Sequence, residues 1–89
     1  MANKRIKRDH MYIGQLVVCS DHPEAQVRTI SGFHDGWTFT VEVQWYEGNK
    51  QCSQGVDCSM LREPTIKQIE YSIANNGKLV AMNDIMQLA

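Results

Sequence analysis

Residues 38–46 read Thr38-Phe39-Thr40-Val41-Glu42-Val43-Gln44-Trp45-Tyr46, and this stretch decides the fold class. Phe39, Val41, Val43 and Trp45 alternate with Thr38, Thr40, Glu42 and Gln44. A period of two puts each set on its own face of a pleated strand. The apolar set is expected to face a core and the polar set water. Glu47-Gly48-Asn49-Lys50 then supplies a tight turn, and a more polar strand is expected from Gln51 to Leu61, interrupted near Gly55. A fifth strand or a single helical turn fits Cys58 to Leu61.

Working outward toward the N-terminus, Asp35-Gly36 marks another turn, and Val27 to His34 (VRTISGFH) reads as a strand with a bulge at Gly32. Ser20 to Glu24 (SDHPE) is a loop, and Tyr12 to Cys19 (YIGQLVVC) is a first strand with a bend at Gly14. Toward the C-terminus the period changes at Pro64. Ile66, Ile69 and Ile73 recur at steps of three and four over a polar remainder, so an amphipathic helix is expected there, its Ile stripe packed across an open end of the barrel or, with Met82 and Met86 of the tail, against a second copy. Pro64 suits the first helical turn and Asn76-Gly77 the end. The tail from Lys78 is too apolar to be left in water and is expected to dock, as a strand piece at Leu79 to Met82 and a helical turn capped by Asn83.

Length and charge set the limits. A chain of 89 residues allows one domain with a small core, without the size of an elaborate enzyme. Lys4, Arg5, Lys7 and Arg8 against Asp9 give residues 1–10 a net charge of +3, while residues 11–89 sum to −4. An acidic body repels phosphate, so any nucleic-acid contact has to start from the N-terminal segment. Residues 1–11 are expected to be a basic, flexible arm, residues 12–63 a barrel, and residues 64–89 a helix and docked tail. With no apolar run of signal or membrane-spanning length, a cytoplasmic protein with no membrane partner is expected. The odd count of three cysteines points to reduced thiols.

Gly14 to Val18, Val27 to Ile30, Val41 to Trp45, Gly48 and the run Ser59-Met60-Leu61-Arg62-Glu63-Pro64 resemble SH3-like barrels of the Tudor and KOW type. The resemblance covers residues 12 to 64; Ala25 stands where that family's Gly-x-Val strand has Gly. It implies a mainly β fold: a small SH3-like β-barrel of about five strands with a C-terminal amphipathic helix. It also implies a binding role of the kind found in small phage and bacterial accessory proteins. Tudor-type barrels hold methylated side chains in aromatic cages; KOW-type barrels contact RNA, ribosomes or RNA polymerase.

The expected function is a non-enzymatic accessory or regulatory module that binds another protein, as a monomer or homodimer. Trp37 and Tyr46, aromatic and beside turns, are its candidate contacts, with Phe39 and Trp45 assigned to the core. The alternative is RNA or DNA binding, with Lys4, Arg5, Lys7 and Arg8 as phosphate contacts and Arg28 or Lys50 nearby. Cys19, His22, Cys52 and Cys58 carry the ligand types of a structural zinc, but the five residues between Cys52 and Cys58 exceed the usual spacing, and no cofactor is expected. His10, His22 and His34 lack the phosphate loop, nucleophile elbow or paired carboxylates that a catalytic site needs.

Overall fold

A computed structural model describes residues 3–34 and 39–85. The fold is mainly β: four antiparallel strands in chain order form an unclosed sheet, β1 (Leu16–Val17), β2 (Arg28–Phe33), β3 (Thr40–Glu47) and β4 (Lys50–Asp57), followed by helix α1 (Ile66–Asn76). β3 and β4 pair without a break from Glu47↔Lys50 to Thr40↔Asp57, closed by a turn in which Gly48 takes φ +63°. Gly55 does not interrupt β4. It sits opposite Glu42 with Thr40 Cγ2 against it, where a Cβ would crowd. The β2 irregularity lies between Ile30 and Gly32. The expected turn at Asp35-Gly36 lies outside the described residues.

Beyond β4 the chain makes a 3-10 turn at Cys58–Met60, capped by the Asp57 side chain accepting from Ser59 N–H at 2.9 Å. It then returns to β1. Val18 N–H donates to Arg62 O at 2.9 Å and Arg62 N–H to Val18 O at 2.8 Å, a bridge of one residue pair; of the two expectations for Cys58 to Leu61, a fifth strand or a single helical turn, the turn is what forms. On its far side Arg62 bridges Arg5. The segment expected to be a free arm is thus packed: Ile6 N–H donates to Leu61 O, Glu63 N–H donates to Lys4 O at 2.7 Å, and Met11 is buried.

The core lies on the face that β3 presents through Val41 and Val43. Met11, Val17, Ile30, Val56 and Leu61 complete it, with Ile6, Cys19, Phe33, Trp45 and Cys58 at its margin. Phe39, expected in this core, is 64% exposed just ahead of β3. The opposite face is not wet. Gln44 and Tyr46 are buried there, because residues 78–84 cross it. Thr29 Oγ1 donates to Val80 O at 2.7 Å, Gln51 Nε2 donates to Gln44 Oε1 and to Asp84 O, and Lys78 Nζ sits 4.5 Å from the Tyr46 ring centre. The tail does dock, as extended chain and a 3-10 turn at Met82–Asp84 and not as a strand.

Helix α1 starts at the Thr65 cap, one residue beyond Pro64, and ends at Gly77 with φ +82°. It packs by its polar side. Gln68 and Ser72 are buried, while Ile66 and Ile73 of the expected buried stripe are 74% and 44% exposed and Ile69 is half-buried. The reason is hydrogen bonding. Gln68 Oε1 accepts from Thr65 N–H and Asn3 Nδ2, its Nε2 donates to the carbonyls of Ser20 and His22, and Ser72 Oγ accepts from Val27 N–H at 2.9 Å. Apart from the Asn3 side chain, these partners are backbone groups in loops and at the ends of elements, which need a buried partner of this kind.

Candidate nucleic-acid interface

The docking of residues 3–11 converts a run of cations into a site. Lys4 to Lys7 runs extended along Leu61–Glu63, and successive side chains of extended chain point to opposite sides, so Arg5 and Lys7 share a side that Ile6 leaves for the core. After a 3-10 turn at Arg8–His10, Met11 anchors in the core. A groove of about 570 Å³ results, lined by Lys4, Arg5, Ile6, Lys7, His10, Tyr12, Gln15 and Glu63. Lys4, Arg5 and Lys7 share its lining with one carboxylate, Glu63. That volume lies in the range of ligand-binding clefts, and Tyr12 adds a ring that is 61% exposed.

Beside the groove, Arg62 and Asp21 form an ion pair. The Arg62 guanidinium, with the Asn3 N–H at 2.8 Å, holds the Asp21 carboxyl below its ordinary range, and Asp21 in turn pushes Arg62 up. Asp21 is therefore committed to a cation.

The other cations expected at phosphate are engaged elsewhere. The Arg8 guanidinium lies 4.4 Å from the Phe33 ring centre. Arg28 stacks at 4.1 Å on Trp45 and donates to Gln54 Oε1 at 3.0 Å, while Lys50 sits at the tip of the β3–β4 turn, on the opposite edge of the sheet from Arg5.

Of the expected protein contacts, Tyr46 is 7% exposed beneath the tail, so it is a packing residue, and Trp37 lies outside the described residues. The zinc set is not gathered. Cys52 and Cys58 stand at the start and just past the end of one extended strand, more than about 15 Å apart at ~3.3 Å per residue, and among the described residues no three of His, Cys, Asp and Glu are grouped to hold a metal. Burial pushes the Cys19 thiol up, with Arg28 acting against it.

Sequence reading placed Lys4, Arg5 and Lys7 among the phosphate contacts but missed Tyr12, Gln15 and Glu63 as their companions. Tyr12 had been read as the opening of the first strand. The signal available was Gly14, which takes φ +95° two residues after Tyr12, ahead of β1 at Leu16. No helix among the described residues is long and apolar enough to cross a membrane. No protein-family profile, curated protein or solved structure matches the chain.

Proposed function

We propose that this chain is a small non-enzymatic nucleic-acid-binding module that works in the cytoplasm. The observation that carries the reading is the gathering of Lys4, Arg5 and Lys7 with His10 and Tyr12 around one groove on a packed segment. Cations carried on a docked backbone spare the ordering of that backbone on meeting phosphate, and an exposed aromatic beside them suits a base. The SH3-like reading of the fold belongs to this proposal. Its support is the return of the chain, after the 3-10 turn, to pair with Val18 at Arg62.

Fluorescent oligonucleotides titrated at about 50 and 200 mM salt test it. Three phosphate contacts correspond to a loss of affinity of about 20-fold over that range for a single strand. The double substitution Lys4→Glu with Lys7→Glu is expected to abolish binding. Absence of binding to every oligonucleotide at the lower salt overturns the reading.

A second reading, binding of another protein by strand addition, has its support in β4. Among the described residues this eight-residue strand has β3 as its single neighbour in the sheet, and its interior, Gln51 to Val56, carries no charge. Such edges are templates for an added strand. Slowed amide exchange along β4 in the presence of the partner is its signature.

A further inference from the structure

We infer that the groove takes single-stranded nucleic acid in preference to duplex, with a base stacked on Tyr12 and the backbone running past Arg5 and Lys7. This rests on the nucleic-acid reading above and adds the strandedness of the ligand.

The first ground is how Tyr12 is held. Its N–H donates to Gln15 Oε1 and its carbonyl accepts from Gln15 N–H, both at 3.1 Å. The turn so formed is tied to β2 at two points, Gly14 N–H to Ile30 O at 2.8 Å and Ile30 N–H to Gln15 O at 2.9 Å, and Met11 is buried just ahead of it. A rigid backbone therefore presents a ring that is 61% exposed. Stacking needs an open base face, which an unpaired nucleotide offers and an interior base pair does not.

The second ground is the spacing of charge. Arg5 and Lys7 lie two residues apart on extended chain, about 6.6 Å, which is of the order of one nucleotide step in a stretched single strand. Gln15 lines the same groove, and with its amide oxygen accepting from Tyr12 N–H its NH2 group is placed to donate to a base edge.

The third ground is what surrounds the cations. Glu63 closes one wall of the groove, and residues 11–89 sum to −4. A single strand brings one phosphate backbone to Lys4, Arg5 and Lys7. A duplex brings a second backbone, with one charge per ~1.7 Å of axis for the two strands together, against a body of the same sign.

The test compares a single-stranded oligothymidine with a hairpin duplex of equal length at about 50 mM salt, using the wild-type chain, Tyr12→Ala, Tyr12→Trp and the Lys4→Glu, Lys7→Glu pair. The single strand is expected to bind more tightly. Tyr12→Ala is expected to weaken single-strand binding about tenfold and to leave any duplex binding within about twofold, with Tyr12→Trp restoring the loss. Thermal unfolding of Tyr12→Ala checks that it folds. Equal affinity for the two probes, or a Tyr12→Ala chain that folds and keeps its single-strand affinity, overturns this inference and leaves nucleic-acid binding standing. Failure of the wild-type chain to bind either probe overturns the reading beneath it.

Discussion

Asn3 and Gln68, 65 residues apart in the chain, are joined by a buried hydrogen bond of 2.6 Å from Nδ2 to Oε1. Asn3 Nδ2 also donates to Glu63 O at 2.7 Å, and Gln68 ties the helix start to the loop after β1 through Ser20 and His22. One carboxamide pair thus fastens three parts of the chain.

Gln68→Ala takes a hydrogen bond from four polar groups at once, of which Asn3 Nδ2 and His22 O keep another, so a loss of about 3 kcal/mol in urea unfolding is expected, more than a single surface hydrogen bond contributes. Asn3→Ala alone is expected to cost less, and the double variant less than the two singles together. Simple additivity in that cycle contradicts a shared network.

Tyr46 and Phe39 reverse the roles that the alternation of residues 38–46 implies. Tyr46→Ala removes a buried ring beneath the tail and is expected to cost about 3 kcal/mol. Phe39→Ala, at an open position, is expected to stay within about 0.5 kcal/mol. Chemical denaturation of the two variants side by side decides it.

The polar attachment of α1 makes an unusual demand on substitution. Ile66→Lys is expected to be nearly neutral, since that side chain is 74% exposed. Ser72→Ala leaves the Val27 N–H without its partner, and a loss of about 1 to 2 kcal/mol follows. Equal effects of the two changes on the unfolding midpoint contradict the placement of this helix.

Asp21 sets part of the response to acid. Its folded pKa is depressed by Arg62 and the Asn3 N–H, so its contribution is complete above the ordinary aspartate value of about 3.9 and is lost as pH falls through the lower folded value. Asp21→Asn is expected to lower stability at about pH 6 and to lose less than the wild type between there and about pH 3. Urea midpoints at the two pH values measure the difference. Arg62, raised, stays charged throughout and adds no slope of its own.

Strand positions were legible because they depend on local pattern. The alternation at Val41 and Val43, the Gly48 turn and the Pro64 to Gly77 punctuation all report neighbours in sequence, and each marks an element that formed. Covering layers depend on distant chain. Nothing between Thr38 and Tyr46 tells that residues 78–84 will lie over Gln44 and Tyr46, or that Gln68 will find carbonyls and so turn Ile66 and Ile73 outward. The cations at Lys4, Arg5 and Lys7 were visible as composition. Their groove was not, since it needs the Arg5 to Arg62 bridge and the turn at Gly14, two long-range pairings with no period to announce them.

The pairing of residues 3–7 with Leu61 to Glu63 also sets an order of events during synthesis. The basic segment emerges from the ribosome well before the residues that hold it, and until Glu63 follows, its cations have no groove. Sequence-distant contacts of this kind slow folding, because the intervening loop must close before they form. In a nascent chain Lys4, Arg5 and Lys7 therefore stay clear of Leu61 to Glu63 until the residues of all four strands have been made, and the groove they line forms in a late step.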